Sequence, residues 1–115
     1  MRRGDVYQVA LDPSLGSESN TTRPAVIVSN NASNRSVDDS GRGVVTVVPI
    51  TSNVDRIYRF QVLVPGGTAG LALDSKIQAE QIRAVDGRRI RRQLGRLDDT
   101  LVTALDRALV LHLGL

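Results

Sequence analysis

The chain has 115 residues, a formal net charge of +3 and a sequence pI of about 10.2. That length suits one domain, residues 1–115, able to bury about two-thirds of its unfolded surface without a disulfide or metal staple. There is no cysteine and one histidine, His112, which excludes thiol catalysis and a paired-histidine acid–base mechanism.

After Arg2-Arg3-Gly4, residues 5–11 alternate: Tyr7, Val9 and Leu11 share one face, Val6, Gln8 and Ala10 the other, which predicts a first strand. Asp12-Pro13 stops it. Residues 14–22 carry glycine, serines, asparagine and threonines and predict a mobile loop. The loop leads into Arg23, so it reads either as a plain hairpin connection or as a lid over a site. In Thr22-Arg23-Pro24-Ala25-Val26-Ile27-Val28-Ser29 the β-branched run predicts a core strand. Pro24 donates no N–H and suits the strand's start, and its ring pushes Arg23 towards extended backbone. Position alone leaves two readings of Arg23: a solvated strand-end arginine, or a cation held by packed neighbours at a site.

Residues 30–43 are polar and turn-rich and predict an irregular loop, with at most one helical turn around residues 32–34. Residues 43–51 form the second apolar run and predict a strand buried on both faces, its pairing loosened at Pro49. Thr51-Ser52-Asn53 then emerge at that strand's end. Residues 57–64 predict a strand with Tyr58, Phe60, Val62 and Val64 on one side, followed by a turn at Pro65-Gly66-Gly67-Thr68. In residues 74–83, Ser75, Ile77 and Ala79 share one face, and Lys76, Gln78 and Glu80 the other. The phase shifts at Gln81-Ile82, which predicts a bulge or the strand's end. The polar face is either ordinary solvated surface or a set of binding groups.

Residues 83–96 hold six arginines and one acid, Asp86, with a last short strand expected over residues 93–97. Of the 15 basic residues in the chain, 14 are arginine and only Lys76 is lysine. The planar guanidinium fork suits phosphate, so a polyanion partner is one reading; an arginine-rich coding bias and a solvated basic turn are the other. The clearest helix follows, with Asp98 as N-cap, Leu101, Ala104, Leu105, Ala108, Leu109 and His112 at helical spacing, and Gly114 at its end. Several strands and one terminal helix predict a mainly β, α+β domain: a compact barrel or strongly curved sheet with the helix over its open side. No signal peptide, membrane span, internal repeat, glycine-rich phosphate loop or metal-ligand cluster is visible, and a reducing compartment is expected.

Read together, Arg3-Gly4-Asp5-Val6-Tyr7, Gly16-Ser17-Glu18, Thr22-Arg23-Pro24-Ala25-Val26-Ile27-Val28, Val48-Pro49-Ile50-Thr51-Ser52-Asn53, Ala79-Glu80-Gln81-Ile82-Arg83 and Leu94-Gly95-Arg96-Leu97 resemble the MazF/PemK family of bacterial toxin ribonucleases over nearly the whole chain. The resemblance implies an SH3-like small β-barrel of the PemK/CcdB toxin type with a C-terminal helix, a homodimer and a cytoplasmic protein. It implies the toxin of a type II toxin–antitoxin system: a metal-independent endoribonuclease, without cofactor, that cuts single-stranded RNA (mRNA, or tRNA or rRNA) at short motifs and so stops translation and growth. It implies a cognate antitoxin whose C-terminal segment occupies the dimer's RNA-binding groove. By the family pattern Arg23 and Thr51 match the catalytic pair, and Ser52 and Glu80 match positions in or beside the RNA site. Asn53, Gln78 and Gln81 complete the candidate RNA-binding or supporting set. Gln78 departs from certain plasmid-encoded members, which carry a basic residue there, so their fuller acid–base constellation does not transfer. Residues 34–43 look longer than in compact members.

The chemistry agrees. When a 2′-hydroxyl attacks the neighbouring phosphate, charge grows on the non-bridging oxygens and on the leaving 5′ oxygen. A guanidinium stabilises that charge bidentately and a threonine hydroxyl donates one more hydrogen bond. A guanidinium keeps its proton near neutral pH, so charge stabilisation is the first expectation for Arg23 and proton transfer the second. Glu80 is expected to orient Arg23 or accept a proton. The rival functions are a non-enzymatic toxin of the same fold that poisons gyrase, and an RNA-binding module that cuts nothing.

Overall fold

The two β-branched runs become the inner strands of an antiparallel sheet. In the computed structural model, which describes residues 1–11 and 22–115, the elements are β1 (Asp5–Ala10), β2 (Thr22–Ile27), α1 (Asn31–Ser40), β3 (Val44–Thr51), β4 (Gln61–Val64), β5 (Ser75–Gln78), β6 (Arg83–Asp86), β7 (Ile90–Arg96) and α2 (Asp99–Leu113). The predicted loop over residues 14–22, with its Gly16-Ser17-Glu18 motif, lies outside the described residues except for Thr22, which opens β2.

β2 and β3 bury both faces, as continuous β-branching predicts. Val26, Val48 and Ile50 pack under α2 with Val6, Val64, Ile77 and Leu105. Ala25, Ile27, Val45 and Val47 face the opposite cluster with Val9, Val85 and Val37 of α1. Each such side chain removed from water contributes about 1.5–3 kcal/mol. α2 starts where expected: the Asp98 carboxylate accepts from the Leu101 N–H at 2.9 Å, and Gly114 closes it in the left-handed conformation. Its predicted stripe buries Leu105, Ala108 and Leu109, while His112 is exposed and tilts towards the Phe60 ring at 6.4 Å.

The ladder runs β4-β5-β3-β2-β1-β7, with β6 also paired to β3. β4 and β7, at its two ends, share no ladder among the described residues, so the expected barrel is an open, curved sheet. Packing takes the place of hydrogen bonds at this seam. A Cβ on Gly70 would stand 2.0 Å from the Leu94 carbonyl oxygen, and one on Gly95 would stand 2.5 Å from the Ala69 carbonyl. Only two glycines let these backbones approach so closely.

β5 and β6 are one interrupted partner of β3. Between the pairs Ile50↔Ile77 and Val47↔Arg83, β3 moves from 47 to 50, three positions, while its partner moves from 77 to 83, six. The surplus is a 3-10 turn, Ala79–Gln81. The predicted phase shift is therefore real but starts before Gln81, and Glu80 sits on the turn rather than on the polar face of a strand. Pro49 lies in the same interval, where β3 has no N–H to offer a ladder.

Three other expectations change. Residues 31–40 are a helix, not a loop. Asn30 caps it by accepting from the Ser33 N–H at 2.8 Å, and Gly41 ends it at φ 70°. Only Asn34 and Val37 are buried on α1, so no apolar stripe announced it. The strand expected over residues 57–64 shortens to β4, with Ile57 and Tyr58 exposed. The last strand is longer than expected, Ile90–Arg96, and β6 precedes it.

Asn34 anchors α1 where an apolar stripe does not. It is fully buried, donates to the Ser29 carbonyl at 2.9 Å and accepts from the Ser29 hydroxyl at 2.5 Å. Asn34→Ala removes the donor to the Ser29 carbonyl and the acceptor of the Ser29 hydroxyl proton, and is expected to lower stability by ~2 kcal/mol in urea unfolding. A loss below ~0.5 kcal/mol would mean that α1 is held by other contacts.

Candidate active site

Because β2 and β3 are antiparallel, the start of β2 lies beside the end of β3, and their pairing stops at Ala25↔Pro49. Beyond that pair the start of β2 and the end of β3 frame a cleft of about 300 Å³. Thr22, Arg23, Thr51, Ser52 and Ser75 supply its polar lining, and Pro24, Ile50 and Leu71 part of its apolar lining. Arg23 is exposed, pairs with Val9 across the ladder and makes no hydrogen bond or ion pair among the described residues. Its backbone is rigid through that pairing and through buried Ala25, while its guanidinium is available to a ligand. Thr51 is half-buried, opposite Lys76, and its hydroxyl accepts from the Asn53 N–H at 3.2 Å. The hydroxyl proton remains able to donate.

The other predicted residues lie beside this cleft, outside its lining. Ser52, already in the lining, is exposed, as is Asn53, whose side chain accepts from the Asp55 N–H at 3.2 Å. Gln78 is the cross-strand partner of Gln61, and Gln81 is exposed. The Glu80 carboxylate accepts from the Gln61 amide at 2.7 Å, while its second oxygen is buried without a partner among the described residues. No hydrogen bond or ion pair among the described residues joins Glu80 to Arg23. Asn53 thus follows the exit from β3, Gln78, Glu80 and Gln81 lie alongside its middle, and none of the four lines the Arg23–Thr51 cleft.

Two residues outside the candidate site set matter here. Lys76, buried directly across from Thr51, donates to the Arg56 carbonyl at 2.6 Å. Gln61, equally buried, accepts from the Tyr58 N–H at 3.1 Å. Together they fasten residues 52–60 where these leave β3. The signal for Lys76 was present: one lysine among fourteen arginines, inside an otherwise buried strand. Gln61 carried no signal. On the segment they hold, Tyr58 stacks on Phe60 at 5.3 Å and the Arg56 guanidinium lies 5.0 Å from the Tyr58 ring.

The arginine cluster of residues 83–96 divides into structural and exposed members. Arg88 grips Asp86 with Nε at 3.1 Å and Nη2 at 3.0 Å. The hydrogen bonds from Arg88 hold the Asp86 carboxyl down to about 2. Arg96 bonds Asp5 at 2.9 Å, and Arg91 donates to the Arg88 carbonyl at 2.8 Å. Arg89 donates to the Ala10 carbonyl at 3.1 Å. Arg83 and Arg92 are exposed. Arg89 and Arg96 thus tie distant parts of the chain together, while Arg88 and Arg91 make local surface contacts. Among the described residues no three His, Cys, Asp or Glu side chains gather at metal-binding distance.

Comparison with known proteins bears on this arrangement. The family model for PemK-like, MazF-like toxins of type II toxin–antitoxin systems matches residues 2–113. Endoribonuclease MazF9 of Mycobacterium tuberculosis is 52% identical over 115 residues, covering 100% of this chain and 98% of that protein. Probable endoribonuclease MazF1 of the same organism is 50% identical over 70 residues, 61% of this chain and 70% of that protein. A solved endoribonuclease in complex with its cognate antitoxin, from a mycobacterial species, superposes with a TM-score of 0.76 at 26% identity, covering 100% of this chain and 96% of that one.

Proposed function

Because the chain belongs to the family of PemK-like, MazF-like toxins of type II toxin–antitoxin systems, we propose that it is an endoribonuclease toxin whose chemistry takes place in the Arg23–Thr51 cleft. The supporting observation is that a cation with no described partner and a hydroxyl with a donatable proton line one cleft, each on a strand buried on both faces. The substrate is single-stranded RNA. Its 2′-hydroxyl attacks the adjacent phosphorus, the P–O5′ bond breaks, and the products are a cyclic 2′,3′-phosphate and a 5′-hydroxyl. The 2′ proton is lost and the leaving oxygen gains one. Arg23 binds the non-bridging oxygens and stabilises the charge that grows on them, and the Thr51 hydroxyl donates to the same phosphate. Ser52 and Asn53 extend the polar surface at the exit from β3. Glu80, with Gln78 and Gln81, contacts or supports the RNA beside the cleft. The site acts without metal or cofactor.

Incubating purified protein with a long mixed RNA in EDTA tests this. Cleavage at a small set of motifs is expected, and intact RNA in the presence of correctly folded protein would defeat it. Loss of growth without RNA cleavage would point to the non-enzymatic rival.

Thr51→Val keeps the shape and removes the hydroxyl. It is expected to lower cleavage ~10- to 100-fold with little change in melting temperature. A large stability loss would make Thr51 a structural residue.

The protein's partners are the RNA, a second copy of itself and a cognate antitoxin whose C-terminal segment competes for the RNA-binding surface. An apolar surface for a homodimer is present at the end of α2, where Val110, Leu111 and Leu113 are exposed. Sedimentation at micromolar concentration is expected to give twice the 12.4 kDa chain mass, and a monomer alone would count against the dimer. No helix among the described residues is long and apolar enough to cross a membrane, and a cytoplasmic location fits an RNA substrate.

A further inference from the structure

We infer that Gln61 is a positioning residue for RNA cleavage: its buried amide locks the Glu80 carboxylate and the segment leaving Thr51 into one arrangement. The inference rests on the endoribonuclease reading of the same site.

Gln61 is 8% exposed and uses both ends of its amide. The NH2 group donates to Glu80 Oε2 at 2.7 Å, and the carbonyl accepts from the Tyr58 N–H at 3.1 Å. This orientation is the only one that satisfies both neighbours, since a carboxylate needs a donor and an N–H needs an acceptor. Its backbone N–H also donates to the Tyr58 carbonyl at 2.9 Å. The side chain therefore joins two pieces of chain that neighbour β3. One is residues 52–60, which begin directly after Thr51. The other is the 3-10 turn Ala79–Gln81, which bulges out opposite Pro49.

Among the described residues the Gln61 bond is the only hydrogen bond to the Glu80 side chain, and Oε1 is buried without a partner there. A half-satisfied buried carboxylate keeps its pose only through the bond that it has. Without the amide, nothing among the described residues holds the carboxylate in place, and the Tyr58 N–H loses its acceptor as well. The turn and the loop then move independently, and RNA meets a surface that is not pre-formed.

Kinetics of a double-mutant cycle decide the point, with wild type and Arg23→Ala as controls. Gln61→Met keeps the length and apolar bulk and removes the amide; Gln61→Leu is the second variant should methionine pack badly. Gln61→Met is expected to raise KM about tenfold while kcat stays within about twofold. Glu80→Ala is expected to do the same, and Gln61→Met in the Glu80→Ala background to add less than about twofold. A residue that serves only stability would reduce the folded fraction instead, lowering apparent kcat at unchanged KM. Unchanged KM, or effects of the two substitutions that multiply, would overturn the inference while the function stands. Wild-type protein that leaves RNA intact would overturn both.

Discussion

Arg23→Ala is expected to reduce RNA cleavage by ~100- to 1,000-fold or more, because it removes the one charged group that lines the cleft among the described residues. The same substitution is expected to change stability by less than ~0.5 kcal/mol, since Arg23 is exposed and holds no described partner. The two effects are separable for that reason, and thermal unfolding alongside gel-based cleavage measures both. Arg23→Lys sharpens the argument: it keeps the charge, loses the planar fork, and is expected to recover only part of the rate. Full activity in Arg23→Ala would remove the cleft from the mechanism. A collapse of stability would make the arginine structural.

The largest effect on stability is expected at the sheet's seam. Gly70→Ala puts a Cβ 2.0 Å from the Leu94 carbonyl oxygen and does so at φ +79°, where a side chain is strained. Overpacking and left-handed strain together cost ~3–5 kcal/mol, a large fraction of a small domain's stability. Gly67→Ala is the control: it has a similar φ of +84° but nothing within 4 Å of the added Cβ, so only the backbone strain of ~1 kcal/mol is expected. Urea unfolding of the two variants separates the terms. Equal losses would mean that the seam does not depend on the contact between residues 69–70 and β7.

The seam also decides between the two expected forms, a compact barrel and a strongly curved sheet: the sheet stays open. Strand number and spacing point to closure, but closure by hydrogen bonds requires β4 and β7 to align. The glycines at 70 and 95 instead let a loop backbone lie across β7. Two glycines in a sequence do not reveal that they meet.

α1 shows a different blindness. Its helix is set by Asn30, Gly41 and a buried asparagine, none of which produces apolar periodicity, so a polar stretch read as loop. α2 was legible because its cap, its stripe and its terminal glycine all agree. The same contrast runs through the site. Arg23 is legible locally, bordering a β-branched run beside a proline, but Thr51 as its partner comes from the family pattern alone, because nothing local says that two strand ends separated by more than twenty residues frame one cleft. Gln61 was invisible for the same reason: its role is the contact with Glu80 across nineteen positions.

The sequence by itself determined the inner strands, the terminal helix, the exclusion of thiol and paired-histidine chemistry, and the two residue types suited to phosphate chemistry. These follow from local pattern and residue inventory, which need no knowledge of neighbours. The tertiary structure alone decided which polar groups are spent on the fold and which remain for a ligand. It placed Arg88 and Arg96 in ion pairs, left Arg23 exposed at the cleft, moved Glu80 from a strand face to a turn and tied it to Gln61. Those outcomes depend on pairing register and on contacts between residues distant in the chain.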